Sequence, residues 1–276
     1  MMRFYMLRLL KQKSALAGLI IILALIGGGI CAQILSPCDP AQQHVVKRLQ
    51  SPQAGYLMGT DDLGRDVLSR MLHGIRVSLG VGIVAVGIMV IIGTLLGLTA
   101  GYCGGLIDSI IMRFVDIVLC FPTFFLILIV IAFLEPSLYT VMGVIGITSW
   151  PGLARLVRAE VLSLRERDYI AAAKMLGLGR ARLIFVHILP NVISPIIVAA
   201  TLGVGDAILT ESGLSFLGLG VQPPVASWGQ MLTTGKEYIH IAWWLSLFPG
   251  CAILITVLAF NLLGEGLRNA LDPKQL

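Results

Sequence analysis

The sequence predicts an all-α membrane protein with six transmembrane helices, and three observations lead to this fold class. Hydrophobic residues make up 57% of the chain and charged residues only 13%, whereas a soluble domain carries about 25% charged residues. Several apolar runs reach the roughly 20 residues that a helix needs to cross a bilayer. Lysine and arginine are concentrated in loops that these runs place on one side of the membrane.

The apolar runs divide the chain into spans and connections. Glycine and proline occur inside several runs, which membrane helices tolerate and use for close packing. The predicted spans are 15–35, 77–100, 110–134, 138–158, 191–211 and 241–263. The resulting regions are a cytoplasmic tail 1–14, the first helix 15–35, an extracytoplasmic segment 36–76, a five-helix core 77–263 and a cytoplasmic tail 264–276.

The first span is predicted to be retained, although basic residues precede it as in a signal peptide. Its apolar run is long enough for a bilayer, and no A-x-A cleavage site ends it. A lipoprotein signal is disfavoured as well, because Ile30 stands where a small residue should precede Cys31.

The distribution of basic residues predicts the orientation of the spans. Tail 1–14 has four basic residues and no acidic one, and the connection between the fourth and fifth spans is rich in arginine. Segments 36–76 and 212–240, on the other side, are closer to charge balance. The positive-inside rule therefore predicts a multi-pass protein with both termini in the cytoplasm.

Composition and motifs disfavour several other functions. The net charge of +5 is divided among a few loops, which is a poor pattern for nucleic-acid binding. The five cysteines and four histidines form no CxxC or Cys/His cluster, so neither a disulfide framework nor a metal site is predicted. No G-x-x-x-x-G-K-[ST] phosphate loop occurs in the sequence.

Two extracytoplasmic connections are too long to be simple turns. Segment 36–76 ends in the polar motif 59–66, and we expect Thr60 or Asp61 to cap the amphipathic helix that follows, because their oxygens accept from free backbone amides. Segment 212–240 mixes apolar and turn-forming residues, which favours a stretch dipping into the membrane edge.

The cytoplasmic connection 160–190 has the pattern of short helices. Apolar residues from Leu153 to Leu164 follow helical spacing, so the fourth span is predicted to extend beyond the bilayer. Asp168 is the expected N-cap of a second helix, 169–176, which Gly177 would end. A third helical piece, 180–189, is predicted to run into Pro190.

This connection has two interpretations on physical grounds. Short helices across the end of a membrane bundle can transmit force, and the small residues around Ala172 offer a smooth surface to a partner. Alternatively, the connection is a basic loop that only sets the topology.

Sequence motifs resemble a known family here. Ala171-Ala172-Ala173-x3-Gly177, followed after nine residues by His187-Ile188-Leu189-Pro190, is similar to the EAA loop of binding-protein-dependent ABC importer permeases, E-A-A-x3-G-x9-I-x-L-P. Motifs along nearly the whole chain are similar to those of the C-type permease in the dipeptide, oligopeptide and nickel subfamily. The motifs are Gly59-Thr60-Asp61, Leu63-Gly64-Arg65-Asp66, Met112-Arg113 with Asp116, Phe121-Pro122, Ser215–Gly220, Ser227-Trp228-Gly229, Ala259–Gly264 and Leu271-Asp272-Pro273.

The resemblance implies a MetI-like permease bundle in the bacterial inner membrane. Such a subunit is not itself an enzyme. It pairs with a homologous B-type permease, two cytoplasmic ATPases that use ATP and magnesium, and an extracytoplasmic substrate-binding protein. The chain itself is expected to bind no cofactor. Peptides are the implied cargo, with glutathione or nickel and other metal chelates as alternatives.

The resemblance also implies a coupling helix, at 168–178, that docks on an ATPase. The implied coupling residues are Asp168, Tyr169, Ala171, Ala172, Ala173, Met175, Leu176, Gly177, Leu178, Leu189 and Pro190. This chain departs from the family pattern in having Ala171 for glutamate and His187 for isoleucine. With Asp168 as N-cap, position 171 is N3, where glutamate would complete a capping box, so its loss should weaken the helix by about 1 kcal/mol or less.

Ionisable residues in the spans are costly in hydrocarbon and are therefore functional candidates. We place Asp206 and Glu211 in the translocation path, with contact to the partner permease as the alternative for Asp206. Arg113 and Asp116 join this group, and their spacing predicts that they neutralise each other. An extracytoplasmic gate or binding-protein contact is assigned to Asp61, Asp62, Arg65, Asp66 and Trp228.

Other functional classes have less support. A secondary transporter or channel needs more membrane-buried charges than Asp206 supplies, and the two halves show no clear inverted repeat. An intramembrane enzyme lacks HExxH, a GxSxG with a partnered histidine, or paired aspartates. A passive anchoring subunit remains open, and the coupling loop is the feature that distinguishes it from a permease.

Overall fold

The computed structural model describes residues 12–135 and 137–271, and regular structure in these ranges is helical. Most of the predicted tail 1–14 and the end of tail 264–276 lie outside the described residues. The helices are α1 Lys13–Ile30, α2 Ala32–Leu35, α3 Val67–Cys103, α4 Gly105–Leu119, α5 Thr123–Ala132, α6 Leu138–Arg165, α7 Asp168–Met175, α8 Arg180–Arg182, α9 Leu189–Phe216, α10 Trp228–Glu237 and α11 Trp244–Leu271.

Five helical runs of the described ranges are long and apolar enough to cross a membrane. They are α1, α3, α6, the run Arg180–Phe216, and α11. The bent pair α4–α5 makes a sixth crossing if it counts as one span. The predicted all-α membrane fold is therefore confirmed.

The third span is broken, whereas the sequence analysis expected one helix over 110–134. Helices α4 and α5 meet at an angle of 82°. Pro122 lies between them, and proline lacks the amide that a continuing helix needs and disfavours helical geometry at the residue before it. The bend follows from this local chemistry.

The helix that carries the second span begins earlier than predicted and has a different cap. Asp66, not Thr60 or Asp61, accepts from the Ser69 amide at 2.8 Å and is the N-cap of α3. The predicted amphipathic segment and the span 77–100 thus form one helix of 37 residues.

The fifth span also begins earlier than predicted. Residues 183–188 form a π-helical stretch that joins α8 to α9, so the helical run continues through Pro190 and Pro195. The expected stop at Pro190 was wrong because proline is tolerated in the first turn, where its missing amide is not needed. The cytoplasmic piece and the fifth span are one continuous element.

Glycines bring α3 and α6 together in the most extensive helix pair of the described residues. Gly93, Gly97 and Gly101 are spaced four apart on one face of α3 and lie directly against α6. A Cβ atom on Gly97 would lie 2.7 Å from the Ala154 carbonyl oxygen. Small residues permit this backbone approach, and the resulting dispersion contacts hold membrane helices together.

Replacing Gly97 with alanine should therefore destabilise the protein. The added methyl overlaps the α6 backbone, and overpacking of this kind costs about 1–3 kcal/mol. The midpoint of thermal unfolding in detergent is expected to fall. Gly87→Ala in the same helix is the matched control, because its Cβ meets no atom within 4 Å. Equal midpoints for the two variants would contradict the role of Gly97.

Candidate functional site

Helix α7 lies at the end of α6 and is attached to the bundle by one face. Ile170 is fully buried and Ala173 is 8% exposed, so these two side chains face inward. The small-residue surface expected at 171–173 is therefore only partly available, since Ala171 and Ala172 alone of the three are exposed.

The two ends of α7 differ in how well they are capped. Asp168 is the first helical residue and Arg167 precedes it without a side-chain cap. The expected N-cap role of Asp168 was therefore wrong. Because the helix begins at Asp168, position 171 is N4 and not N3, and a glutamate there would not complete a capping box. At the other end the prediction for Gly177 is confirmed, because its positive φ of 76° ends the helix.

The C-terminal end of α7 is a Schellman motif. The Gly177 amide donates to the Lys174 carbonyl at 3.0 Å, and the Leu178 amide donates to the Ala173 carbonyl at 3.3 Å. These two bonds satisfy carbonyls that the helix leaves free. The turn that follows α7 is consequently well defined.

The outer face of α7 presents apolar side chains to solvent. Met175 is 90% exposed and Leu176 is 81% exposed, while Tyr169 is 42% exposed. Large apolar groups on a short, anchored helix form a surface suited to a protein partner. Of the other predicted coupling residues, Asp168, Gly177 and Pro190 are exposed, and Leu178 and Leu189 are half-buried.

Ion pairs connect α6 to α4 close to this helix. Arg158 binds both carboxylate oxygens of Asp108, at 2.5 and 2.6 Å. Arg155 binds Asp116 at 2.7 Å. The predicted pairing of Asp116 with Arg113 was wrong, because the arginine of a neighbouring helix reaches the carboxylate instead. The sequence analysis missed Arg158–Asp108, whose members lie 50 positions apart.

Asp206 lies on the wall of a cavity of about 340 Å³. The cavity is formed by α3, the α4–α5 bend, α6 and α9. Of the described residues that line it, Asp206 alone is ionisable. The assignment of Asp206 to a translocation path stays a prediction, and its position on a cavity agrees with it.

Glu211 does not share this cavity but is enclosed by serines. Its side chain is fully buried. One carboxylate oxygen accepts from the Ser215 hydroxyl at 2.8 Å and from the Ser227 hydroxyl at 2.9 Å. Because Ser227 is the N-cap of α10, the carboxylate joins α9 to α10. In this structure Glu211 therefore links two helices of the bundle, and its assignment to the translocation path stays a prediction.

The polar motif 59–66 forms a buried network instead of an exposed contact surface. Asp61 accepts from the Arg65 Nε at 2.7 Å and from the Arg65 amide at 2.9 Å. Arg70 lies 3.5 Å from the same carboxylate and donates to Gln230 at 2.7 Å. The network therefore joins the start of α3 to α10.

The predicted binding-protein contacts are mostly inaccessible in this conformation. Asp61, Arg65, Asp66 and Trp228 are each no more than 6% exposed, so their assignment to an external contact is corrected to structural roles. Asp62 is the member of the group that stays partly exposed. Burial, and then the neighbouring Asp61 charge, raise the pKa of the Asp62 carboxyl.

Sequence reasoning named Trp228 but missed the partners that complete this network. Trp228 donates from its ring to the Met71 carbonyl at 3.2 Å, and Trp244 donates to the Thr60 carbonyl at 3.1 Å. These bonds join positions more than a hundred residues apart, and Arg70 pairs with Gln230 across 160 positions. No local pattern predicts such partners.

The family of the chain follows from comparison with known proteins. Residues 93–276 match the binding-protein-dependent transport system inner membrane component family. Residues 3–52 match the N-terminal transmembrane domain of oligopeptide transport permease C. The chain belongs to this family of inner membrane permeases, and the resemblance drawn from its motifs is confirmed.

Individual relatives agree over nearly the whole chain. The dipeptide transport system permease protein of Alkalihalophilus pseudofirmus is 49% identical, over 97% of this chain and 88% of its own length. The di/tripeptide transport permease of Pseudomonas aeruginosa is 46% identical, over 95% and 89%. The glutathione transport permease of Pectobacterium atrosepticum is 43% identical, over 97% and 89%.

A solved structure shares the fold at low sequence identity. A permease chain from inward-facing crystals of the MetNI methionine ABC transporter superposes with a TM-score of 0.60 at 17% identity. The match covers 74% of this chain and 96% of that chain. The MetI-like bundle predicted from the sequence is thereby confirmed.

Removing the Glu211 carboxylate should destabilise the contact between α9 and α10. Glu211→Ala leaves buried hydroxyl donors without an acceptor, which costs about 1–3 kcal/mol. Thermal unfolding in detergent is expected at a lower temperature. Glu237→Ala, at an exposed carboxylate of α10, should leave the midpoint unchanged. A midpoint for Glu211→Ala equal to that control would refute the packing role.

Proposed function

We propose that the chain is a translocation subunit of an ATP-driven importer of dipeptides and oligopeptides. In this proposal it forms the path with a homologous B-type permease and receives cargo from an extracytoplasmic binding protein. Two separate ATPases bind ATP and magnesium. The single observation that carries the mechanism is the exposed apolar face of α7 on a helix anchored to the bundle.

The geometry of α7 supports docking on an ATPase. Ile170 and Ala173 are buried and hold the helix against the bundle, while Met175 and Leu176 are left uncovered. An ATPase groove that covers these two side chains removes apolar surface from water. Movement of the ATPase then moves α7, and with it the helices to which α7 is joined, by rigid-body motion.

The peptide cargo is supported by the functions of the relatives. Two of the three described above transport dipeptides or tripeptides. Glutathione is the second candidate, because a glutathione permease is 43% identical over 97% of this chain.

The membrane orientation belongs to the same proposal. With α7 facing the ATPases in the cytoplasm, six crossings place both termini on that side. The polar segment 36–66 and α10 then lie outside, where the binding protein delivers cargo. The charge distribution supports this arrangement through the positive-inside rule.

Charge on the outer face of α7 should uncouple transport from ATP hydrolysis. Met175→Asp places a carboxylate where the proposed groove is apolar, and burying an unpaired charge is costly. In proteoliposomes containing the whole complex, peptide uptake should fall by about tenfold or more, the equivalent of 1.4 kcal/mol in docking.

Met175→Leu is the control for this change, because it keeps an apolar side chain and should retain uptake. Copurification of the permease pair shows that the Met175→Asp subunit is folded. Normal uptake and normal cargo-stimulated ATPase activity in Met175→Asp would exclude α7 as the docking helix.

Two native cysteines test the orientation. Cys38 lies in the segment assigned to the outside, and Cys103 is exposed at the end of α3 assigned to the cytoplasm. In variants that keep one of these cysteines, a membrane-impermeant maleimide should label Cys38 in intact spheroplasts. It should label Cys103 only after permeabilisation. The opposite labelling pattern would show that the chain crosses the membrane in the reverse orientation to the one proposed.

A further inference from the structure

The described lining of the cavity that contains Asp206 carries a negative charge and no positive one. Its only ionisable group among the described residues is a carboxylate, and the remaining lining is apolar, glycine or hydroxyl. No salt bridge or side-chain hydrogen bond to the Asp206 carboxylate occurs in the described part of the chain. In the single chain the Asp206 side chain is exposed, and a carboxylate within a membrane span is costly when it has no partner.

Three of the four hydroxyl groups that line the cavity, those of Thr148, Ser149 and Thr210 but not that of Thr123, donate their protons to backbone carbonyls. Thr148 donates to the Val144 carbonyl at 2.7 Å, and Ser149 donates to the Ile145 carbonyl at 2.7 Å. Thr210 donates to the backbone carbonyl of Asp206 at 2.7 Å. A hydroxyl has one donor and two acceptor lone pairs. These three groups can therefore offer a ligand acceptors but no free proton.

A lining of acceptors around one carboxylate selects a particular ligand group. An ammonium group has three donors and no acceptor, so it matches both the charge of Asp206 and the lone pairs of the hydroxyls. A carboxylate would instead be repelled by the charge of Asp206, and the Thr123 hydroxyl is the one side-chain donor that the described lining offers it.

We propose that Asp206 binds the free ammonium group of the cargo in this cavity, with the Thr148, Ser149 and Thr210 hydroxyls as additional acceptors. The inference rests on the proposed import of peptides and specifies which end of the peptide this subunit holds. Apolar neighbours such as Met89 and Ile145 then contact the adjoining part of the cargo.

A binding-protein-free experiment tests the site directly. The purified permease–ATPase complex is heated in detergent with alaninamide, which carries an ammonium group at neutral pH, or with N-acetylalaninamide, which does not. Alaninamide at saturating concentration should raise the unfolding midpoint by mass action, and the acetylated compound should not. Asp206→Asn should abolish the shift, and Asp206→Glu should retain part of it.

Uptake measurements test the Asp206 site separately from the proposed import of peptides. Asp206→Asn should lower dipeptide uptake in proteoliposomes about tenfold or more, because charge-assisted hydrogen bonds to the cargo are lost. Ser149→Ala should lower it less, and Glu237→Gln, at an exposed carboxylate on another helix, should not change it.

Each of the other outcomes overturns a different statement. If both probes shift the wild-type midpoint equally, or if Asp206→Asn keeps the shift and full uptake, the ammonium site is wrong while peptide import stands. If Asp206→Asn releases the partner permease during purification, Asp206 belongs to the subunit contact instead. If the wild-type complex imports no peptide, the proposed function fails irrespective of the thermal shifts.

Discussion

The close approach of α3 and α6 is the interaction on which the rest of the architecture depends. Gly93, Gly97 and Gly101 allow the two backbones to touch, and hydrocarbon offers no hydrophobic drive that would replace this packing. One end of α6 then carries the arginines that bind α4, and its middle supplies a wall of the Asp206 cavity. The candidate docking helix and the candidate path are thus positioned by the same helix pair.

Periodicity and composition predicted the parts of the fold that local chemistry determines. The apolar runs located the spans, and Gly177 correctly marked the end of α7 because a positive φ there favours glycine. Boundaries were less accurate. Proline at 190 was interpreted as a stop, yet the helix continues through it, whereas Pro122 does break a helix. Pro190 falls in the first turn of α9, where its missing amide is not needed, whereas Pro122 stands before α5 at the bend. Periodicity alone does not locate these helix boundaries.

In the candidate site, too, features formed by residues close in sequence were predictable, and contacts between distant residues were not. The exposed face of α7 was predictable from a contiguous motif, and Asp206 from its isolation in an apolar run. The motif 59–66 was misinterpreted because charged residues suggest an exposed surface. Arg70 and Gln230, which bury Asp61, come from positions far apart in the chain. Charge in this motif therefore holds the start of α3 against α10 and does not form an open contact surface.

The continuous helical run from Arg180 to Phe216 connects the end of the chain segment that follows α7 to the cavity containing Asp206. Arg180 lies beside the docking helix, and Asp206 lies about 40 Å further along the same run at 1.5 Å per residue. A tilt of about 5° about the Arg180 end of a straight helix of this length displaces its far end by about 3 Å, comparable to the length of one hydrogen bond. In the proposed mechanism, an ammonium group held by Asp206 would lose its contacts over that distance, so a small movement of α7 would release the cargo.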